Sequence, residues 1–150
     1  MKEKHRSHCP ISFGLDIFGD RWSLLVLRDI IFKRKRRYQE FLDSEEKIST
    51  NILADRLKLL EDYKIISRAD DPENKKQIFY SPTKKGLDLI PIMLEIVRWS
   101  YQHDPKTAAP KEFIAKMNSD LEGLVQQIRS QFALTSSNRS HSNPKKSRSR

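Results

Sequence analysis

The sequence predicts a mainly α-helical domain with one small β-hairpin, an α+β class. Apolar residues recur every three or four positions through most of the chain, which is the spacing of amphipathic helices. The exception is a pair of short runs rich in Ile, Phe and Tyr, KIISRAD and KQIFYSP, which the turn-forming sequence DPENK separates. These observations predict helices before a hairpin and long helices after it.

The first two predicted helices differ in how much of their surface is apolar. In PISFGLDIFG, the residues Ile11, Leu15 and Phe18 share one helical face, and Gly19 ends the helix. Asp20 is suited to cap the next helix, RWSLLVLRDIIF. Its apolar residues point in almost every direction, so we expect it to be the central buried helix.

Two shorter helices follow, RYQEFLDS and ISTNILADRLKLLED. In the second, Leu53, Leu57 and Leu60 fall within one apolar arc, and Ser49 is placed to cap its N-terminus. Two short helices joined by a turn and followed by a hairpin make a winged helix-turn-helix, with the hairpin as the wing.

The C-terminal third predicts long helices whose apolar seams are either core or a dimer interface. Thr83 should cap a helix that runs to about Tyr101, in which Pro91 should cause a kink or cost one backbone hydrogen bond. The apolar residues of this helix follow coiled-coil spacing, at Leu87, Ile90, Leu94, Val97 and Tyr101. The predicted divisions are a basic extension over 1–8, the winged domain with its dimerisation helix over 9–104, an additional helix over 105–133, and a disordered basic tail over 134–150.

The charge and composition limit the partners. The formal net charge is +9, and the last sixteen residues supply five positive charges and no acid. A mildly basic body favours a polyanion such as nucleic acid. No apolar run approaches the ~18 residues of a membrane helix, so no membrane partner is expected. The single cysteine excludes an internal disulfide framework and fits a reducing cytoplasm, which is the expected location.

Motifs for catalysis or for a bound group are missing from the sequence. The chain shows no phosphate-binding loop, zinc signature or pair of carboxylates at catalytic spacing. We therefore expect no enzyme, no metal site and no cofactor. An enzyme that uses Cys9 as nucleophile is the remaining alternative of that class, although adjacent histidines seldom place a base correctly.

The second helix of the motif presents a polar face for which DNA is the expected partner. Residues near the N-terminus of such a helix reach base edges in the major groove. The residues expected to contact DNA there are Ser49, Thr50, Asn51, Ala54, Asp55 and Lys58. Asp55 repels phosphate, so it should either accept from a cytosine amine or be neutralised by Lys58. The alternative is an amphipathic helix with a solvated face.

Basic residues elsewhere are candidates for phosphate contacts. The run KRKRR over 33–37 precedes the first helix of the motif. Arg36 or Arg37 is expected to touch the DNA backbone there, and the other residues of the run to act mainly through their electrostatic field. The predicted wing offers Lys75 and Lys76, while its acidic residues, Asp70, Asp71 and Glu73, oppose such contacts. A solvated loop is the alternative for the basic run.

An ordered set of residues over 9–101 carries a family resemblance. It begins with CP, LDIFGDRW and LLVLRDI, and continues with Arg37-Tyr38 and Ile48-Ser49. The matching positions that follow are Leu53, Arg56, Leu57, Leu60, Glu61, Arg68, Tyr80, Thr83, Gly86, Leu87, Pro91 and Trp99. Together they resemble the HxlR-type transcriptional regulators, which are relatives of the MarR-type winged-helix proteins. Glu45, Glu46 and Lys47 stand where that family usually has an apolar residue and Pro-Gly, and Lys64 where it has glycine.

The resemblance implies a homodimeric, sequence-specific regulator of transcription that binds double-stranded DNA at a palindromic operator. It implies a dimer through the first and the long C-terminal helices, with Ile11 and Leu15 joining the coiled-coil-spaced seam. Some members sense oxidants or electrophiles through a cysteine near the start, a position that Cys9 matches; the alternative is a structural cysteine. Any small-molecule effector is unknown. A general nucleic-acid-binding protein, driven by the basic loop and tail, is the remaining functional alternative.

Overall fold

A computed structural model describes residues 7–137, with the backbone alone for 134–137. The elements in chain order are α1 (Pro10–Phe18), α2 (Ser23–Ile31), α3 (Tyr38–Leu42), α4 (Thr50–Asp62), β1 (Ile66–Asp70), β2 (Ile78–Pro82), α5 (Lys84–Leu87), α6 (Ile90–His103), α7 (Lys111–Ser119) and α8 (Leu121–Ser137). The mainly helical class with one hairpin is confirmed. The chain forms two compact units, one ending at Met93 and one beginning at Leu94, and α6 continues from the first into the second.

The first unit is built around α2. Asp20 Oδ1 accepts hydrogen bonds from the backbone N–H groups of Trp22, at 2.7 Å, and Ser23, at 2.9 Å. It therefore closes the turn that leads into α2, two residues before Trp22, the N-cap of the helix. The largest buried apolar residues of α2 are Val26, Leu27, Ile30 and Ile31. The prediction that this helix is central and buried is confirmed.

α4 begins and ends with local signals that the chain supplies itself. Ser49 Oγ accepts from the Ile52 N–H at 3.4 Å, and Leu53, Leu57 and Leu60 are buried. The helix ends in a Schellman motif, since the N–H of Ile65 bonds the Leu60 carbonyl and that of Lys64 bonds the Glu61 carbonyl. Lys64 has a φ of 60° and Lys47 a φ of 57°, so two lysines hold the left-handed conformation that glycine adopts more readily.

The hairpin pairs β1 and β2 antiparallel, with Ile66 opposite Pro82 and Asp70 opposite Ile78. The end of β2 and the start of α5 pack closely on the segment that enters β1. Thr83 Oγ1 donates to the Lys64 carbonyl at 2.5 Å, and a Cβ atom on Gly86 would lie 2.1 Å from the Ile65 carbonyl oxygen. This close approach requires glycine where α5 crosses the start of β1.

The predicted long helix from Thr83 to Tyr101 is two helices in the structure. Thr83 Oγ1 accepts from the Gly86 N–H at 3.1 Å and caps the short α5, which ends at Leu87. Pro91 lies in the first turn of α6, where its missing N–H has no partner to lose. Neither predicted effect of Pro91, a kink or a lost backbone hydrogen bond, occurs, because a new helix begins at Ile90 and Pro91 lies in its first turn.

The second unit contains the rest of α6 with α7 and α8. Here the sequence spacing predicts one helix over 105–133, whereas the structure has two. Asp120 breaks them with φ −154° and ψ 76°, and its Oδ1 accepts from the Gly123 N–H at 2.8 Å at the start of α8. The buried apolar residues of the two helices are Ile114, Met117, Leu124, Val125 and Ile128. Arg98 Nη2 donates to the Met117 carbonyl at 3.3 Å.

The predicted terminal segments fall mostly beyond the described residues. Of the basic extension over 1–8, residues 1–6 lie outside them, and of the tail over 134–150, residues 138–150 do. The backbone of 134–137 continues α8, so this helix runs to Ser137.

Candidate nucleic-acid interface

The exposed face of α4 gathers the residues predicted to contact DNA. Thr50, Asn51, Ala54, Asp55 and Lys58 are all exposed, as is Ser49 at the cap. Helical spacing places Asn51, Asp55 and Lys58 opposite the buried leucines and Ala54 at the side. Thr50 lies in the first turn, near the edge of the apolar arc. The structure thus brings these predicted residues together on one continuous surface.

Two contacts fix the position of α4 in its unit. The Tyr38 hydroxyl donates to the Thr50 carbonyl at 2.8 Å, which joins the start of α3 to the start of α4. Arg56 Nη1 lies 3.3 Å from Asp20 Oδ2, which joins the middle of α4 to the turn before α2. With the buried leucines, these contacts give the exposed face a defined direction.

An ion pair that the sequence did not reveal holds the turn between α3 and α4. Arg28 of α2 donates from Nη1 to Glu46 Oε1 at 2.5 Å and from Nη2 to Oε2 at 2.9 Å. These hydrogen bonds lower the pKa of Glu46 to about 2. The turn between α3 and α4 is thus anchored to α2 by an ion pair.

The same network reaches a buried carboxylate. Asp29 is 2 % exposed and accepts from Arg28 Nη2 at 2.7 Å and from Lys35 Nζ at 3.1 Å. The Ser44 hydroxyl also donates to Asp29 and accepts from Lys35 at 2.7 Å. A buried charge needs such partners. Lys35 of the basic run is therefore engaged in this cluster.

The structure engages both predicted phosphate-contacting arginines inside the chain. Arg36 Nη1 donates to the Ile30 carbonyl at 2.6 Å. Arg37 Nε donates to Asp71 Oδ2 at 2.5 Å and Arg37 Nη2 to Glu73 Oε2 at 2.8 Å. Asp71 was expected among the acids of the wing that oppose DNA, but it is 0 % exposed. The bond from Arg37 lowers the pKa of Asp71, and it ties α3 to the base of the wing.

The lysines of the wing turn are exposed, although Glu73 of the same turn is paired with Arg37. Lys75 and Lys76 are exposed, and the Lys76 N–H donates to Asn74 Oδ1 at 3.2 Å within the turn. Arg68 Nε lies 3.8 Å from Glu61 Oε1, which joins β1 to α4. The two lysines therefore stand beyond a hairpin whose base is fixed to α3 and α4.

The ion pair on α4 is not the one that the sequence suggested. Lys58 Nζ lies 3.2 Å from Asp62 Oδ2, one turn further along the helix. Among the residues that the structure describes, none forms a hydrogen bond or an ion pair with the carboxylate of Asp55. Lys58 thus neutralises the other acid of this face.

The residues predicted for a dimer interface separate into two groups. Ile11 is 72 % exposed and Leu15 57 %, so α1 presents an uncovered apolar face. Ile90 and Leu94 are 0 % exposed, because α6 turns them into the interior of the chain, while Leu87, Val97 and Tyr101 are half-buried. The exposed apolar residues of α6 are instead Ile92, Ile96 and Trp99. Placing Ile90 and Leu94 at a surface seam was wrong.

Cys9 is exposed and immediately precedes α1. Its backbone N–H donates to Ser7 Oγ at 3.2 Å. No helix in the described part of the chain is both long and apolar enough to cross a membrane.

Comparison with known proteins agrees with this architecture. The HTH-type transcriptional regulator sll1512 of Synechocystis is 38 % identical over 86 residues, which are 57 % of this chain and 63 % of that regulator. YodB of Bacillus subtilis, an HTH-type transcriptional regulator, is 30 % identical over 63 % of this chain and 84 % of its own length.

Solved structures match the same region. The reduced form of YodB superposes with a TM-score of 0.54 at 28 % identity, over 67 % of this chain and all of YodB. The redox regulator HypR in its oxidised form gives 0.56 at 28 % identity, over 63 % of this chain and 96 % of HypR. The family model of the HxlR-like helix-turn-helix proteins matches residues 17–108, more than half of the chain. The protein therefore belongs to the HxlR-like helix-turn-helix family of transcriptional regulators.

Proposed function

We propose that this regulator is a homodimer that binds a palindromic operator and reads its sequence through α4. The observation that carries the proposal is the exposed face of α4, where Thr50, Asn51 and Ala54 stand uncovered at the N-terminal end of a rigidly held helix. In helix-turn-helix proteins this end of the second helix meets base edges. The proposed place of action is the nucleoid, in the cytoplasm.

The chemistry of these side chains suits base reading. An Asn amide can bond N6 and N7 of one adenine, a Thr hydroxyl bonds either donors or acceptors, and a small Ala allows close approach or contact with a thymine methyl. Lys75 and Lys76 of the wing would contact phosphate and set the register of the protein on DNA. Arg36 and Arg37 form hydrogen bonds within the chain, so they would act on DNA mainly through their electrostatic field.

A second copy of the chain would complete the binding surface. The uncovered apolar residues of α1, Ile11 and Leu15, and those of α6, Ile92, Ile96 and Trp99, favour contact with a like surface. A two-fold dimer places two recognition helices in successive major grooves, so its operator is palindromic.

The test is selection of bound sequences from a pool of random duplexes at physiological salt, with the mass of the free protein measured by sedimentation. We expect a palindromic site and a dimer. Binding that does not depend on sequence and is lost on addition of salt would instead identify a general nucleic-acid-binding protein. The basic tail is the feature that favours this second candidate.

The role of Asn51 has its own variant and control. Asn51→Ala should weaken operator binding roughly tenfold or more while leaving affinity for random duplex nearly unchanged. The matched control is Asn118→Ala, which removes an exposed Asn from α7. Equal losses on operator and random DNA would contradict the base-reading role.

We further propose that chemical modification of Cys9 changes operator binding. The support is its exposed position at the start of α1, together with similarity to YodB, which is also known in a quinone-bound form, and to HypR, a redox regulator. Diamide, which oxidises thiols, should release the wild-type protein from its operator and leave Cys9→Ser bound. Identical release of both proteins would remove Cys9 from the proposal.

A further inference from the structure

The face of α4 that is proposed to enter the major groove carries an acid. Asp55 lies four residues after Asn51, on the same side of the helix, and is exposed. The carboxylate has no hydrogen bond or ion pair with any residue in the described part of the chain. A bare negative charge on a DNA-binding face opposes binding to every duplex.

Neighbouring cations do not remove this charge. Lys58, three residues on, pairs with Asp62 at 3.2 Å, and Arg56 pairs with Asp20 at 3.3 Å. Lys58 lies between two acids, so the stripe of Asp55, Lys58 and Asp62 keeps one net negative charge even if Lys58 changes partner. Docking on DNA would therefore bring an uncompensated carboxylate to the base edges.

A carboxylate without a proton can only accept hydrogen bonds, and this selects its partner in the groove. The donors that the major groove offers are the cytosine N4 amine and the adenine N6 amine. Adenine N6 has acceptors on both sides, its own N7 and the O4 of thymine. Cytosine N4 has only the guanine O6 on one side, because its own edge carries no acceptor. A carboxylate placed at the cytosine amine is thus repelled by fewer neighbouring acceptors than one placed at the adenine amine.

We propose that Asp55 determines specificity by accepting a hydrogen bond from the N4 amine of one cytosine in each operator half-site. The inference rests on the proposed DNA-binding function. The Asp55 carboxylate weakens binding to every duplex, and its hydrogen bond offsets this loss only at sites that have the cytosine. Asp55 therefore acts chiefly by weakening binding to other sequences.

The first test compares sequences selected by the wild type, by Asp55→Asn and by Asp62→Asn. Both variants remove one negative charge from α4 without changing the size of the side chain, so both should fold and should bind random duplex roughly threefold more tightly. Only Asp55→Asn should lose the preference for cytosine at one position of each half-site. Asp62→Asn should select the wild-type site.

The second test alters the base. N4-methylcytosine replaces the hydrogen that points into the major groove and retains pairing with guanine. At the assigned cytosine it should weaken wild-type binding roughly tenfold or more and leave Asp55→Asn nearly unaffected.

The outcomes separate this inference from the proposed function. A wild type that selects no site contradicts the function itself. A palindromic site that is the same for wild type and Asp55→Asn, or an Asp55-dependent preference for adenine, overturns the assignment of Asp55 to cytosine and leaves the function standing.

Discussion

The guanidinium of Arg28 holds the carboxylate of Glu46 through two hydrogen bonds, across eighteen positions of sequence. Arg28 lies on α2, and Glu46 lies in the turn that precedes the Ser49 cap of α4. The pair therefore connects the central helix α2 with the point where α4 begins.

We expect this pair to make stability depend on pH. The pKa of Glu46 falls from 4.5 to about 2 on folding, so its ionised form stabilises the fold above pH 4.5 and loses this contribution as the pH falls toward 2. Glu46→Gln should therefore lower the free energy of unfolding by about 1 kcal/mol at pH 7. Urea unfolding at a series of pH values measures the difference, which should vanish near pH 2.

Glu45→Gln is the control, since Glu45 is the exposed neighbour in the same turn. It should show no such pH-dependent difference. A loss in Glu46→Gln that persists unchanged to pH 2 would mean that packing, and not the ion pair, accounts for the effect.

Arg37 is expected to support the wing more than to hold DNA. Its removal in Arg37→Ala leaves the buried carboxylate of Asp71 without its cation, so the melting temperature should fall. Lys75→Ala, at the open tip, should leave the melting temperature unchanged and weaken binding to all duplexes. Calorimetry and binding titrations of the two variants test this, and the reverse pattern would restore Arg37 as a phosphate contact.

Lys64 is a site where glycine should stabilise the chain. A φ of 60° costs a residue that has a side chain more free energy than it costs glycine. Glycine in turn loses more conformational entropy on folding, which offsets part of this gain. Lys64→Gly should raise the free energy of unfolding by roughly 0.5 kcal/mol. Lys58→Gly, inside α4, should instead lower it by about 1 kcal/mol. A loss at both positions in urea unfolding would contradict the Schellman role of Lys64.

Gly86 should tolerate no side chain. A Cβ would lie 2.1 Å from the carbonyl oxygen of Ile65, and both backbones would have to move. Gly86→Ala should therefore lower the free energy of unfolding by about 1–3 kcal/mol. Gly14→Ala is the contrast, because its Cβ would meet only the movable ring of Phe18 at 2.9 Å, and a helical Ala should offset this. Equal effects of the two substitutions would refute the close approach.

The elements were predictable from the sequence where local patterns determine them. The leucine arc of α4, the turn that Asp20 closes before α2 and the pair of short strands in the hairpin depend on neighbours a few residues apart, and the structure has each of them. The helix restart at Pro91 and the break at Asp120 were missed, since apolar spacing continues through both positions while the backbone does not.

The candidate site was predictable on α4 and not in the basic run. The exposure of Asn51 follows from the helical period, which places it opposite the leucines, whereas Thr50 is exposed as the first residue of the helix. The assignments of Lys35 and Arg37 depend on Asp29 and Asp71, and Asp71 is thirty-four positions from its partner. A sequence reveals that a charge is present, but burial of its partner is a property of the tertiary fold.

The exposed indole of Trp99 should be central to dimer formation. Trp99 is 65 % exposed beside Ile96 on α6, so Trp99→Glu should leave the chain folded and place charge on the proposed contact surface. We expect sedimentation to show a monomer at concentrations where the wild type is a dimer, with operator binding at least roughly tenfold weaker. Gln126→Glu, which adds the same charge to α8, should change neither the oligomeric state nor operator binding. Leu94→Ala, at a buried position of the same helix as Trp99, should instead lower the free energy of unfolding by about 2–5 kcal/mol. A dimeric Trp99→Glu protein would place the interface elsewhere.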